Sequence, residues 1–233
     1  MKKKDNLNDE IRYIGFCILV ILGAVIMPSM VANWLMKIKI NEDIASILGS
    51  LLYIMCVFSI YRTSLVEEFK TFKSNFKSSI KTGFKYYLLG FMAMVFFNLL
   101  IVLTSKGISD NETGVREMLF DSPLISLFTI GIIGPISEEL AFRKSIEAAC
   151  KNKYVFFILS GLLFGGAHLL INILSGTLVL SDLLYILPYG SLGVAFAYMN
   201  YETKSTYTSM CMHMFHNLAT CALLLVTYFS GAI

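Results

Sequence analysis

Charge is scarce in this chain. Only 15% of its 233 residues are Asp, Glu, Lys or Arg, against 56% hydrophobic, and the mean hydropathy is +0.70. Soluble domains carry a larger charged share, so this composition excludes an ordinary water-soluble fold. Cysteine occurs only as five separate residues, Cys17, Cys56, Cys150, Cys211 and Cys221, with no Cys-x-x-Cys pair. That excludes a disulfide framework and a thiolate metal site, and the cysteines are expected as small core residues. A net charge of +3 is too small to hold nucleic acid. No internal repeat or low-complexity linker divides the chain. His-Glu-x-x-His is missing, since HMFH at 213–216 has neither the spacing nor the glutamate, and Gly-x-Gly-Asp is missing too. A site-2-type zinc protease and a presenilin-type protease are therefore disfavoured. Ser191 in YGSLG is too weak a match for a rhomboid-type nucleophile.

What is abundant is long apolar sequence. A hydrocarbon core of about 30 Å takes roughly 20 helical residues, and hydropathy places spans near 13–36, 43–61, 86–104, 122–142, 154–174, 182–199 and 206–230. The expected fold is all-α: a polytopic transmembrane bundle of about seven spans forming one membrane domain over 1–233. The N-terminal MKKKDNLNDEIR carries Asp5, Asp9 and Glu10 among its bases and no small-x-small cleavage site follows. The first segment should thus stay as a span. Basic residues alternate between connections as the positive-inside rule requires. Lys2, Lys3, Lys4 and Arg12 precede the first span, Arg62 to Lys85 separate the second and third, and Arg143, Lys144, Lys151 and Lys153 the fourth and fifth. These are assigned to the cytoplasm, with the N-terminus, in a multi-pass cell-membrane protein. Residues 105–121 are acidic on balance, with Lys106 and Arg116 against four acids, while Lys37 and Lys39 run against the pattern. Between 62 and 85, Val66, Phe69, Phe72, Phe76, Ile80 and Phe84 recur every three or four residues opposite the lysines. That periodicity predicts an amphipathic helix lying in the cytoplasmic interface.

Ionisable residues inside a membrane cost about 2.5–3.5 kcal/mol each on insertion scales, so each must be paired, solvated in a cavity or used. The stretch PISEELAFRKSI, residues 135–146, holds three. Glu139 and Arg143 share a helix face in acid-before-base order. Glu138 points roughly 100° away and needs another reason to be there, unless the cluster simply marks the end of a span. Upstream, Gly134-Pro135 loosens the helix and can open backbone groups toward a polar cavity. All three histidines also fall in predicted spans: His168 in LLFGGAHLLIN, and His213 and His216 in MCMHMFHNLAT. Gly165 and Gly166 are expected to let another helix approach, with Phe164 one turn before His168. His213 and Asn217 form a polar edge that His216 either joins or turns away from. A carboxylate desolvated in such a place becomes a competent base for water. An imidazole can hold that water, and His and Asn donors can stabilise a carbonyl oxyanion. Amide hydrolysis needs such a set.

Three motifs stand in order: Glu138-Glu139-x-x-x-Arg143, Phe164-x-x-x-His168 and His213-x-x-x-Asn217. Together they resemble the CAAX-protease and bacteriocin-processing (CPBP, or Abi) membrane proteins, relatives of the type II CAAX prenyl endopeptidases, over a core of about 120–225. The resemblance implies that Glu138 and His168 activate water, that His213 and Asn217 form the oxyanion hole, and that Glu139, Arg143 and Phe164 hold the geometry. His216 beside Asn217 offers a competing donor. The motifs leave a metal requirement open, because Glu138, His168 and His213 are also a possible Zn²⁺ ligand set; the metal-free mechanism, with no cofactor, is favoured. The expected activity is an intramembrane endopeptidase. Its expected partners are the lipid bilayer and a short hydrophobic peptide or leader at the cytoplasmic face, in bacteriocin or pheromone processing or self-immunity. A non-catalytic immunity or scaffold protein is the alternative from another class, and a proton-coupled transporter a third.

Overall fold

The computed structural model describes residues 7–104 and 107–231, with side chains from Ile11 onward. Lys2, Lys3, Lys4 and Lys106 lie outside the described residues. Among those described, every regular element is helical. Helix α1 spans Leu7–Lys37, α2 Glu42–Ser74, α3 Phe76–Leu103 and α4 Asp110–Asp121. A long helix α5 covers Pro123–Ala149. It is followed by α6 (Lys153–Ala167), a short α7 (Leu170–Ser175), a 3₁₀ turn (Leu180–Tyr185), α8 (Ile186–Thr203) and α9 (Thr206–Phe229). The protein is a polytopic helical bundle.

Among the described residues six helices are long and apolar enough to cross a membrane: the first three, α5, the segment Leu180–Thr203 that includes α8, and α9. The sequence led us to expect seven. The difference is α6, whose 15 residues rise only about 22 Å, short of a hydrocarbon core. The helix stops at His168, whose backbone N–H turns back to Gly165 and Gly166, and α7 resumes two residues later. The expected span at 154–174 is thus two pieces joined at a candidate site residue.

The 62–85 segment also differs from the expected single helix. Its first half continues α2 without a break, Asn75 interrupts the chain, and its second half opens α3. The buried stripe is Tyr61, Leu65, Glu68 and Phe72, while Phe69, Phe76 and Phe84 stay exposed. Of the aromatic stripe only Phe72 turns inward. The buried face mixes Leu65 and Phe72 with Tyr61 and Glu68, residues that hydropathy undervalues. The connection at 105–121 contains α4, a helix begun by Ser109, whose Oγ accepts the Glu112 N–H at 3.2 Å.

Packing brings α5 and α9 into the middle. Tyr53, Val57, Tyr61 and Leu65 of α2 pack with Val20 of α1, Leu140 of α5 and Met210 of α9. Phe142, Phe156, Phe164 and Ala197 join α5, α6 and α8 in a second cluster. Helices α6 and α8 touch through glycines: a Cβ on Gly193 would lie 2.9 Å from the Gly161 Cα, and one on Gly165 would lie 2.7 Å from the Ile186 carbonyl. Gly165 thus does what was expected of it, whereas Gly166 faces open space. All five cysteines are free thiols; Cys17 and Cys221 are buried, Cys150 and Cys211 partly so, and Cys56 is exposed.

Candidate active site

The site begins with a proline. Pro135 has no N–H for the Gly131 carbonyl, and its ring crowds that turn. The helix widens there into a π turn at Thr129–Ile133, in which the Gly134 N–H bonds to the carbonyl of Thr129. In a regular α-helix that N–H would have bonded Ile130. The Ile130 carbonyl is thereby released, and it accepts the Nδ2–H of Asn217 at 2.8 Å. A second π turn at Leu140–Lys144 follows the two glutamates. There the Phe142 carbonyl accepts the Ser160 hydroxyl of α6 at 2.7 Å, and the Ala141 carbonyl accepts the Ser145 hydroxyl. Two π turns thus bracket Glu138 and Glu139, and side chains take up the Ile130 and Ala141 carbonyls they release.

The two adjacent carboxylates occupy different surroundings. Glu139 and Arg143 are both fully buried and pair at 2.9 Å. The Arg143 guanidinium also lies 4.4 Å above the Phe164 ring and 5.2 Å from that of Phe196, where the ring faces attract a cation. Glu139 Oε1 accepts the Nδ1–H of His213 at 2.9 Å. His213 is further fixed by stacking on Phe196, 4.7 Å between centroids. Its other nitrogen, Nε2, faces Glu138 Oε2 at 3.6 Å, beyond direct hydrogen-bond range. Glu138 keeps 35% of its side chain accessible.

His168 is held in the same way by different means. Its Nδ1–H donates to the Phe164 carbonyl at 2.8 Å, since a carbonyl can only accept. Its ring stacks on Tyr189 at 3.9 Å. The Tyr189 hydroxyl is tied to Ser109 Oγ at 3.0 Å and to Asn111 Nδ2 at 3.5 Å. Each histidine therefore commits Nδ1 to the scaffold and leaves Nε2 for chemistry.

Glu138, His168, His213 and Asn217 all line one cavity of about 310 Å³. Phe164 forms part of its wall, and α4 closes it through Asn111, Glu112, Val115 and Met118. His216 borders it too, with Nδ1 3.3 Å from the Tyr87 hydroxyl of α3. Glu138 also borders a second cavity of about 580 Å³ between α1, α2 and α5, with Thr129, Gly134 and Met118 common to both.

Sequence reasoning missed several supports. Tyr189 and Phe196, which clamp the two histidines, lie in an apolar run with nothing local to mark them. Lys144 was assigned to a cytoplasmic connection, but α5 continues past it and buries it against Glu68 and Ser64. Arg143, counted in the same connection, is likewise interior. The Ile130 carbonyl did have a signal, the Gly134-Pro135 pair.

Among the described residues no group of three His, Cys, Asp or Glu is arranged to hold a metal ion, while the Nδ1 commitments of His168 and His213 leave Nε2 of each as the nitrogen that would face one.

A family model described as type II CAAX prenyl endopeptidase Rce1-like matches residues 120–219, which contain all three motifs. The chain is 27% identical over 193 residues to the "Putative membrane peptidase YdiL" of Bacillus subtilis (strain 168), covering 76% of this chain and 69% of that protein. It is 37% identical over 87 residues to the UPF0177 protein YxdF of Lactococcus lactis subsp. lactis (strain IL1403), covering 33% of this chain and 49% of that one. No solved structure matches. Residues 120–219 are thus similar to the Rce1-like family, whose description points to protease activity in a membrane.

Proposed function

We propose that this protein is an intramembrane endopeptidase that hydrolyses a peptide bond with water activated by Glu138. The observation that carries the reading is the single cavity onto which three helices bring Glu138, His168, His213 and Asn217. Glu138 takes a proton from water held by the bare Nε2 of His168, and the resulting hydroxide adds to the scissile carbonyl carbon. The oxyanion receives the second Nδ2–H of Asn217, the first being committed to Ile130. His213 can add a donor from Nε2 only when both its ring nitrogens carry protons, because Nδ1–H is already given to Glu139. Collapse of the tetrahedral intermediate breaks the C–N bond, and Glu138 returns its proton to the leaving amine. Metal takes no part in this scheme.

The substrate is a short hydrophobic or membrane-associated peptide, such as a bacteriocin, pheromone or leader sequence. The sequence suggested entry at the cytoplasmic face; the position of the cavity favours the other side. The cavity extends to α4, at the opposite end of α5 from Lys144, so on the positive-inside assignment the peptide enters from the non-cytoplasmic side.

The test is reconstitution in vesicles with a panel of leader peptides. Wild type is expected to cleave at least one, and Glu138→Gln and His168→Ala at matched folding to lose activity. Equal cleavage by the variants would refute the mechanism. No cleavage by any form, with the protein still protecting cells, would favour the non-catalytic immunity reading. Activity that disappears with chelation and returns with zinc would overturn the metal-free scheme.

A further inference from the structure

Glu68 lies on α2, outside the three motifs, yet it joins the two helices that carry the site. It is buried. Oε1 pairs with Lys144 Nζ of α5 and accepts the Ser64 hydroxyl at 3.0 Å. Oε2 accepts the backbone N–H of Thr206, the first residue of α9, at 2.9 Å. The Glu68 backbone carbonyl accepts the Ser205 hydroxyl at 3.3 Å. Lys144 also donates to Ser64 at 2.7 Å and faces Glu147 at 3.7 Å. Glu68 therefore satisfies one of the otherwise unpaired N–H groups that open a helix and places negative charge at its positive end.

These contacts form the end rung of a ladder along the antiparallel seam between α5 and α9. The middle rung is Glu139 to His213, and the far rung is the Ile130 carbonyl to Asn217. Thr206, His213 and Asn217 are seven and four residues apart, close to whole helical turns, so they share one face of α9. Fixing Thr206 therefore fixes the height and rotation at which His213 and Asn217 meet Glu138. On α5, the π turn at Leu140–Lys144 turns Lys144 toward the same seam.

We infer that Glu68 is a positioning residue: by holding the N-terminus of α9 and Lys144 together, it sets the register of His213 and Asn217 against Glu138. The inference rests on the proposed protease reading for its kinetic consequence only. Its geometric consequence is independent of activity.

The experiment uses the full chain reconstituted in vesicles, comparing wild type, Glu68→Ala, Glu68→Gln, the double variant Glu68→Leu/Lys144→Met, and the exposed control Glu67→Gln. The double variant removes both members of the buried pair together and leaves only the partly exposed Glu147 without its lysine, and replacing a buried pair in this way is often neutral for stability. Glu68→Ala is expected to lower kcat per folded molecule about tenfold or more, because misplacement by ~1 Å can cost about a hundredfold. KM should stay within about twofold, the pattern of an interaction made in the transition state. Glu68→Gln, which still accepts from Thr206, should fall between the two. The double variant should regain thermal stability and remain slow, while Glu67→Gln should match wild type. Wild-type kcat in the double variant would show that the pair serves folding alone and would overturn the inference.

A second readout is nitrogen NMR of histidine-labelled protein, practical because the chain has only three histidines. The His213 signal should shift in Glu68→Ala while that of His168 on α6 holds. An unmoved His213 sinks the inference even if wild type proves to cleave nothing, a result that would instead count against the protease reading.

Discussion

At the scale of single residues, the two adjacent glutamates show how far surroundings divide like groups. Glu139 is enclosed with Arg143 and His213, and removing its cation would strand a buried carboxylate. Arg143→Met is expected to cost about 3–5 kcal/mol, the range for breaking a buried pair from one side. The double variant Glu139→Gln/Arg143→Met should recover much of that. Thermal unfolding in detergent checks both, and additive losses would deny the coupling. Glu138, by contrast, is partly exposed, lies 3.6 Å from His213 Nε2 and faces two cavities. Glu138→Gln should leave stability nearly unchanged while cutting turnover by about 10²–10⁴-fold, the usual contribution of a general base. Asn217→Ala should cut it by about 10²–10³-fold, as loss of an oxyanion donor does. Comparable stability losses in Glu138→Gln and Arg143→Met would erase the distinction drawn here.

At the scale of elements, the decisive features are irregularities in α5. Pro135 releases the Ile130 carbonyl, and Asn217 takes it up. Replacing proline by alanine restores an N–H and a better helix former. Pro135→Ala is expected to let the π turn relax toward α geometry, return Ile130 to the backbone ladder and free Asn217 to rotate. The outcome would be a protein at least as stable as wild type but slower in cleavage, measured side by side by thermal unfolding and peptide turnover. Unchanged turnover would mean that Asn217 is positioned without its carbonyl. Helix α4 acts at the same scale: Ser109 and Asn111 hold Tyr189, and Asn172 donates to Asp110 at 2.6 Å. The connection closing the cavity is thereby tied to the residue stacked on His168.

At the scale of the whole molecule, the basic connections and the acidic α4 lie at opposite ends of the bundle, which makes orientation testable. Single cysteines placed at Lys73 and Lys151 in a cysteine-free background should react with an impermeant reagent only after the cytoplasmic side is opened. One at Glu117 of α4 should react in intact cells. The reverse labelling would invert the positive-inside assignment and the proposed side of substrate entry with it. The same background matters for interpretation, since Cys56 is exposed in the wild type.

Much of this was readable along the chain, because hydropathy and local spacing act over one helix at a time. The bundle, the three motif groups and the Glu139–Arg143 neighbourhood follow from apolar runs and from residues four apart. Other features depend on pairings that local order does not encode. Glu68 meets Lys144 across 76 positions, Glu139 meets His213 across 74, and Asn217 meets the Ile130 carbonyl across 87. Lys144 reads as a cytoplasmic charge, but it is buried, and pairing with Glu68 offsets its desolvation. Phe69, Phe72, Phe76 and Phe84 read as one interfacial stripe until packing turns Phe72 inward and leaves the other three outside. Residue types and periodicity decide what each helix can bury. Only the assembled bundle decides which buried polar groups meet, because a charge or a carbonyl in the interior is stable only where another element brings it a partner.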